Sequence, residues 1–212
     1  MQERSHSVIA YHAKELDSSD PRAHPWTVGK EDESHRYIDF KSEPHLIRTA
    51  LEDWAPFSAE PFAETFFQLL EWLNGHDSNV ESNDCAFRPA GNNRDKQFQY
   101  SMRCDGRLMI LFRDLFKNTQ TSKVDWLLNE GMQALEEIDQ GFVAGAVGFS
   151  FSKTAYMAFG KHPKQGAAGH QVMLSFYAYG NDGPAAHDSM NRLLKNVHSA
   201  LRKIDARTVA ET

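Results

Sequence analysis

Two cysteines in 212 residues are too few for a secreted disulfide framework. Apolar runs are short as well: the longest candidate, residues 142–151, is interrupted by Gly145, Gly148 and Ser150, far from the roughly 20 residues that span a bilayer. Residues 1–17 contain no signal-peptide apolar stretch of about 7 to 15 residues. These absences point to the cytoplasm and to no membrane partner. The short catalytic and cofactor signatures are missing too, with no G-x-S-x-G, H-E-x-x-H, C-x-x-C, G-x-x-x-x-G-K-[ST] or G-x-G-x-x-G. The odds fall accordingly for common hydrolases, zinc enzymes and nucleotide binders.

What is present is ordinary for a globular chain: 41% hydrophobic, 25% charged and 11% aromatic residues, enough to build a core and inconsistent with collagen-like or wholly disordered classes. The net charge of -6 disfavours a protein whose main task is to hold nucleic acid or an anionic membrane. Charge is unevenly spread. Residues 1–45 carry 6 basic and 9 acidic groups, residues 46–140 carry 9 and 16, and residues 141–212 carry 8 and 4. Only the last third would favour an anionic partner.

Residues 1–45 hold five of the ten histidines, with Pro21, Pro25 and Pro44, and read as a polar, partly ordered arm. The spacing of His6, His12, His24, His35 and His45 matches no regular metal site. Arg36 to Lys41 suits a short edge strand. Residues 46–212 read as a single α+β domain.

Three helices are signalled. Ser58 is placed to cap the first, with a Phe57–Phe62 staple, apolar residues to Leu73 and Gly75 as the stop. Ser122, with Asp125 as a capping box, opens the second, which Gly141 ends. The third spans 184–205, with Pro184 early and Met190, Leu193, Leu194, Val197, Leu201 and Ile204 on one stripe. On its opposite arc lie Arg192, Lys195, Arg202 and Lys203, an ordinary solvated face or a dock for an acidic partner or RNA backbone.

Asp105-Gly106 predicts a tight hairpin turn between strands 97–104 and 107–115, the second buried on both faces because residues 108–112 are continuously apolar. Residues 142–151, 154–159 and 171–179 read as three further strands. A helix followed by a meander thus occurs twice, in pseudo-halves 57–118 and 122–180. The expected fold is a two-layer α+β sandwich, a mainly antiparallel sheet closed by the C-terminal helix.

Two constellations could carry chemistry. Cys85 and Asp84 lie in a segment expected to pair near Met102 or Cys104, where a thiol beside a base would be a nucleophile; the alternative is two small buried residues. The segment 160–170 offers Lys161, His162, Lys164, Gly166, Gly169 and His170, in which Gly admits backbone N–H groups to an anion and Lys adds charge, or which is simply a solvated loop. The leading reading is a binding or regulatory module of inhibitor, immunity or adaptor type, with a protein partner. The competing one is an enzyme on a small anionic substrate, with Cys85 or Asp84 reactive, His170 as acid–base partner and the lysines as anion clamp. The sequence does not identify a cofactor.

Overall fold

The computed structural model describes residues 38, 40–95, 97–156 and 167–210, with three two-residue strands nearer the N-terminus. Those strands, β1 (Val8–Ile9), β2 (Glu15–Leu16) and β3 (Arg22–Ala23), precede helices α1 (Ile47–Ala50) and α2 (Pro61–Asn74). Strands β4 (Val80–Asn92) and β5 (Met102–Phe112) follow, then α3 (Leu115–Asn118) and α4 (Thr121–Glu137). The chain closes with β6 (Gly145–Tyr156), β7 (Ala167–Gly180) and α5 (Gly183–Ala210).

The four long strands form an antiparallel sheet in the order β6-β7-β5-β4, and β1, β2 and β3 pair in parallel along the free edge of β6. Each hairpin follows a helix: α2 leads into β4–β5, and α4 leads into β6–β7. The second strands of the hairpins, β5 and β7, meet at the centre.

Strand alternation explains why the helices share one layer. Leu108, Ile110 and Phe112 of β5, and Val172, Leu174, Phe176 and Ala178 of β7, point to one side. There they join the apolar stripes of α2, α4 and α5 in one core. Met190, Leu193, Leu194, Val197, Leu201 and Ile204 are all buried, as their period of 3.6 requires. Trp54 enters the same core, stacked on Phe66 with centroids 3.8 Å apart and the planes 6° from parallel.

Element boundaries depart from the local signals in several places. Helix α2 begins at Pro61 behind Glu60, so Ser58 is not its cap, although the rings of Phe57 and Phe62 still meet at 5.7 Å. Gly75 ends α2 as expected. Helix α4 begins one residue before Ser122 and stops at Glu137, short of Gly141, with no side-chain cap bond at its start. Pro184 does lie in the first turn of α5, where the Asp182 carboxylate accepts from the Ala185 N–H at 2.8 Å. In the segment 36–41, Phe40 and Lys41 form a turn and not a strand, and residues 36, 37 and 39 lie outside the described residues.

The largest correction concerns Asp105-Gly106, which sits in the middle of β5 and makes no turn. Asp105 pairs with Arg88 on one side and Tyr177 on the other, and Gly106 pairs with Phe87 and Phe176. A strand hydrogen-bonded along both edges outweighs the turn preference of a dipeptide. Glycine serves another purpose here, because a Cβ at residue 106 would lie 2.8 Å from the Ala86 carbonyl oxygen. The hairpin connection is instead the segment from Asn93 to Ser101. Strand β6 likewise runs through Ser152-Lys153 without turning. The continuous burial of residues 108–112 is observed.

Candidate functional site

Residues of odd number on β5 and β7 face away from the helices. Along β5 these are Arg103, Asp105, Arg107, Met109 and Leu111, and their partners on β7 are Tyr179, Tyr177, Ser175, Met173 and, by continuation of the register, Gln171. From β4 the same face receives Arg88 opposite Asp105, Ala86 opposite Arg107, and Asp84 opposite Met109. A bulge between Ser82 and Asp84 shifts the register of β4 at this point.

Both ends of this face are closed. At one end Leu111, Gln171 and Glu81 are buried, and the Lys41 ammonium pairs with Glu81 at 2.6 Å. Asn83 donates to the Gln171 side-chain oxygen, and the Gln171 amide contacts the Met109 sulfur at 3.1 Å. At the other end the hairpin connection folds over Tyr179. Asn93 organises it, its side-chain amide donating to the carbonyls of Asp95, Phe98 and Tyr100 while its Oδ1 accepts from the Asp95 N–H. Phe98 then stacks on Tyr179 at 4.0 Å and 11°, and the Tyr179 hydroxyl donates to Asp95 at 3.1 Å. Burial, followed by the Asp95 charge, raises the phenol pKa, so Tyr179 serves as a fixed donor.

Between the two ends lies a half-exposed floor of alternating charge. Arg107 Nη2 donates to Asp84 at 3.0 Å, and Arg103 Nη2 lies 3.3 Å from Asp105. Arg88 approaches the same Asp105 only to 3.7 Å and is 75% exposed. The Arg103 guanidinium also lies 5.6 Å from the centre of the Tyr177 ring, within range of a cation–π contact. Ser175 and Met173 are half-buried beside them.

The residues singled out in the sequence are dispersed. Asp84 belongs to this face, but Cys85, its neighbour in the chain, points into the helix-side core opposite Leu108. Burial first, then the charges of Asp84 and Asp53, push the Cys85 thiol up to about 12, the reverse of nucleophile activation. His170 lies opposite Lys153 with its ring edge-on to Phe151 at 5.5 Å. Leu174 occupies the row of Cys85 through Leu108, so His170 is two strands across and four residues along, roughly 16 Å away between Cα atoms. That separation exceeds any hydrogen-bond reach.

Cys104 is not beside Cys85 either, because it lies four residues along β5 from Leu108, or about 14 Å between Cα atoms. Its thiol, also pushed up to about 12, lies 3.3 Å from the Ala186 carbonyl oxygen, and both cysteines are free. Gly169 pairs with Thr154 within β7. Lys161, His162, Lys164 and Gly166 lie outside the described residues.

Two other features resolve differently from a local reading. Much of the basic arc of α5 is engaged internally: Arg192 donates to Asp139 at 2.6 and 2.5 Å, Lys203 to Glu137 and Arg207 to Glu130. Arg202 lies over the Trp72 ring at 5.5 Å. Arg192, Lys203 and Arg207 of the basic last third thus pair with Asp139, Glu137 and Glu130 of the acidic middle block. Among the described residues no group of three or more His, Cys, Asp or Glu side chains is arranged to hold a metal ion, and no helix is long and apolar enough to cross a membrane.

Sequence reasoning passed over Arg88, Arg103, Arg107 and Tyr177. The signal was there: residues 88–107 carry five cationic side chains against two acidic ones, inside a block whose net charge is -7. The assumed turn at Asp105-Gly106 concealed it, since it put Arg103 and Arg107 on different strands. Comparison with protein-family models, curated proteins and solved structures finds no match to this chain.

Proposed function

We propose that this protein is a binding module that recognises a protein partner through the sheet face opposite its helices. The supporting observation is the composition of the floor between the two closed ends. Tyr177, Arg103, Arg107 and Met173 stand half-exposed on the two central strands, and tyrosine, arginine and methionine are enriched at protein interfaces. Arg103 and Arg107 are positioned by their ion pairs with Asp105 and Asp84, and Arg103 also by its ring contact with Tyr177, so part of the ordering that binding demands is already done. Cys85 and His170, the pair expected to react, lie roughly 16 Å apart between Cα atoms, so the reading rests on the contact surface itself. Its action is stoichiometric, as in inhibitor, immunity or adaptor proteins. Two unlinked thiols suit a cytoplasmic setting.

A photo-crosslinking side chain at Ser175, in the floor, tests the reading against the same group at Lys195 on the exposed arc of α5. In the native cell the Ser175 probe should give one dominant adduct that Tyr177→Ala abolishes, and the Lys195 probe should not give it. Equal adducts from both positions, or none from Ser175, would refute a contact role for this face.

A further inference from the structure

The chemistry of the floor narrows the partner, on the premise that this face is the contact surface. We infer that the segment it takes is an extended, acidic stretch of polypeptide, with carboxylates seated on Arg103, Arg107 and Arg88. Three observations converge on this. The first is charge, because residues 88–107 carry five cationic against two acidic side chains in a chain of net charge -6, and the floor sets three arginines against Asp84 and Asp105.

The second is the state of the guanidinium groups. Arg88 is 75% exposed and remains 3.7 Å from Asp105, beyond hydrogen-bond distance. Arg107 donates from Nη2 to Asp84 with 39% of its side chain exposed. A guanidinium presents five N–H donors in a fixed fork, so an arginine holding one carboxylate oxygen retains donors for a second carboxylate.

The third is spacing. Arg103 and Arg107 are four residues apart on one face of β5, roughly 13 Å at strand rise. An extended segment lying along β5 projects alternate side chains at the same repeat, so acidic residues four apart meet both arginines. An acidic residue two positions from either would meet Asp105, which sits between them, and Arg88 beside Asp105 moderates that repulsion. The floor therefore favours acidic residues at four-residue spacing over a continuous polyanion. That distinction argues for a peptide over nucleic acid, whose phosphates demand an unbroken basic track.

The test uses the full-length protein and fluorescence anisotropy at low ionic strength. One labelled probe is a thirteen-residue peptide with glutamate at every fourth position and serine or threonine elsewhere. Its companions are the same peptide with lysine in place of glutamate, and a single-stranded thymidine oligonucleotide of similar length. The glutamate peptide should bind, the lysine peptide should not, and Arg103→Gln and Arg107→Gln should each weaken binding at least fivefold. Arg88→Gln, at a position too exposed to affect folding, should weaken it about twofold or more, whereas Lys195→Gln should have no effect.

Preference for the oligonucleotide over the glutamate peptide would overturn the inference, as would no binding of the peptide, or binding indifferent to all three arginines. If the Ser175 crosslink still forms while the peptide fails, the contact surface stands and only its acidic partner is wrong. Loss of both removes the contact surface as well.

Discussion

At the scale of single residues, Gly106 shows how backbone proximity overrides local preference. Because a Cβ there would lie 2.8 Å from the Ala86 carbonyl oxygen, which belongs to a paired strand, Gly106→Ala should cost about 1–3 kcal/mol, read as a lower midpoint in urea unfolding. An unchanged midpoint would mean that β4 moves aside freely. The two cysteines yield a second expectation. With both thiols pushed from 9.0 up to about 12, neither should react with iodoacetamide at pH 8 until the protein unfolds. The unfolded chain releases these protons first, so stability is undiminished below about pH 9 and declines above it. Rapid labelling of the native protein would show that Cys85 reaches solvent.

Elements are joined by polar pairs at their edges as well as by the shared core. Helix α5 is tied to α4 through Arg207 and Glu130, and to the residue just before β4 through Asp205, which accepts from the Asn79 N–H at 2.7 Å. Ion pairs as exposed as Arg207–Glu130 are weak. A double-mutant cycle with Arg207→Gln and Glu130→Gln should return a coupling of about 0.2–1 kcal/mol that fades with added salt. A larger, salt-independent coupling would reveal a buried pair. Between α2 and α5, His198 packs 5.4 Å from the Trp72 ring, and burial, followed by the Arg202 charge, lowers its pKa from the ordinary 6.5. The unfolded chain then protonates at higher pH than the folded one. The stability this histidine leaves intact above pH 6.5 is therefore lost as the pH falls through and below that value. Melting temperatures from pH 8 to 5 should drop less steeply in His198→Phe than in the parent, and parallel curves would contradict the assignment.

For the whole molecule, the order β6-β7-β5-β4 places the second strand of each hairpin at the centre, under helix α5. Within the sheet the two hairpins meet along β5 and β7, and α5 packs across the same seam. Amides of β5 and β7 should therefore be the slowest to exchange with deuterium and should open only with global unfolding. Faster exchange there than in β4 would indicate that the hairpins separate before the molecule unfolds. The same seam carries the proposed contact floor, on the two central strands of the sheet.

Periodicity makes much of this legible in the sequence. The stripes of α2 and α5, the stop at Gly75, Pro184 in the first turn, the buried run 108–112 and the α+β class all follow from local chemistry, because a helix or strand must turn its apolar side to a core wherever that core lies. Other features are set by distant partners. Whether Asp105-Gly106 turns or runs straight depends on β4 and β7 lying on either side, residues that neither glycine nor aspartate can signal. The separation of Cys85 from His170 follows from strand order, and the fate of the α5 cations from where α4 packs. The arginine floor is decided in the same way: its sequence signal is a modest excess of charge, and only strand register turns Arg88, Arg103, Arg107 and Tyr177 into one surface, since side-chain neighbours across a sheet are fixed by pairing and not by distance along the chain.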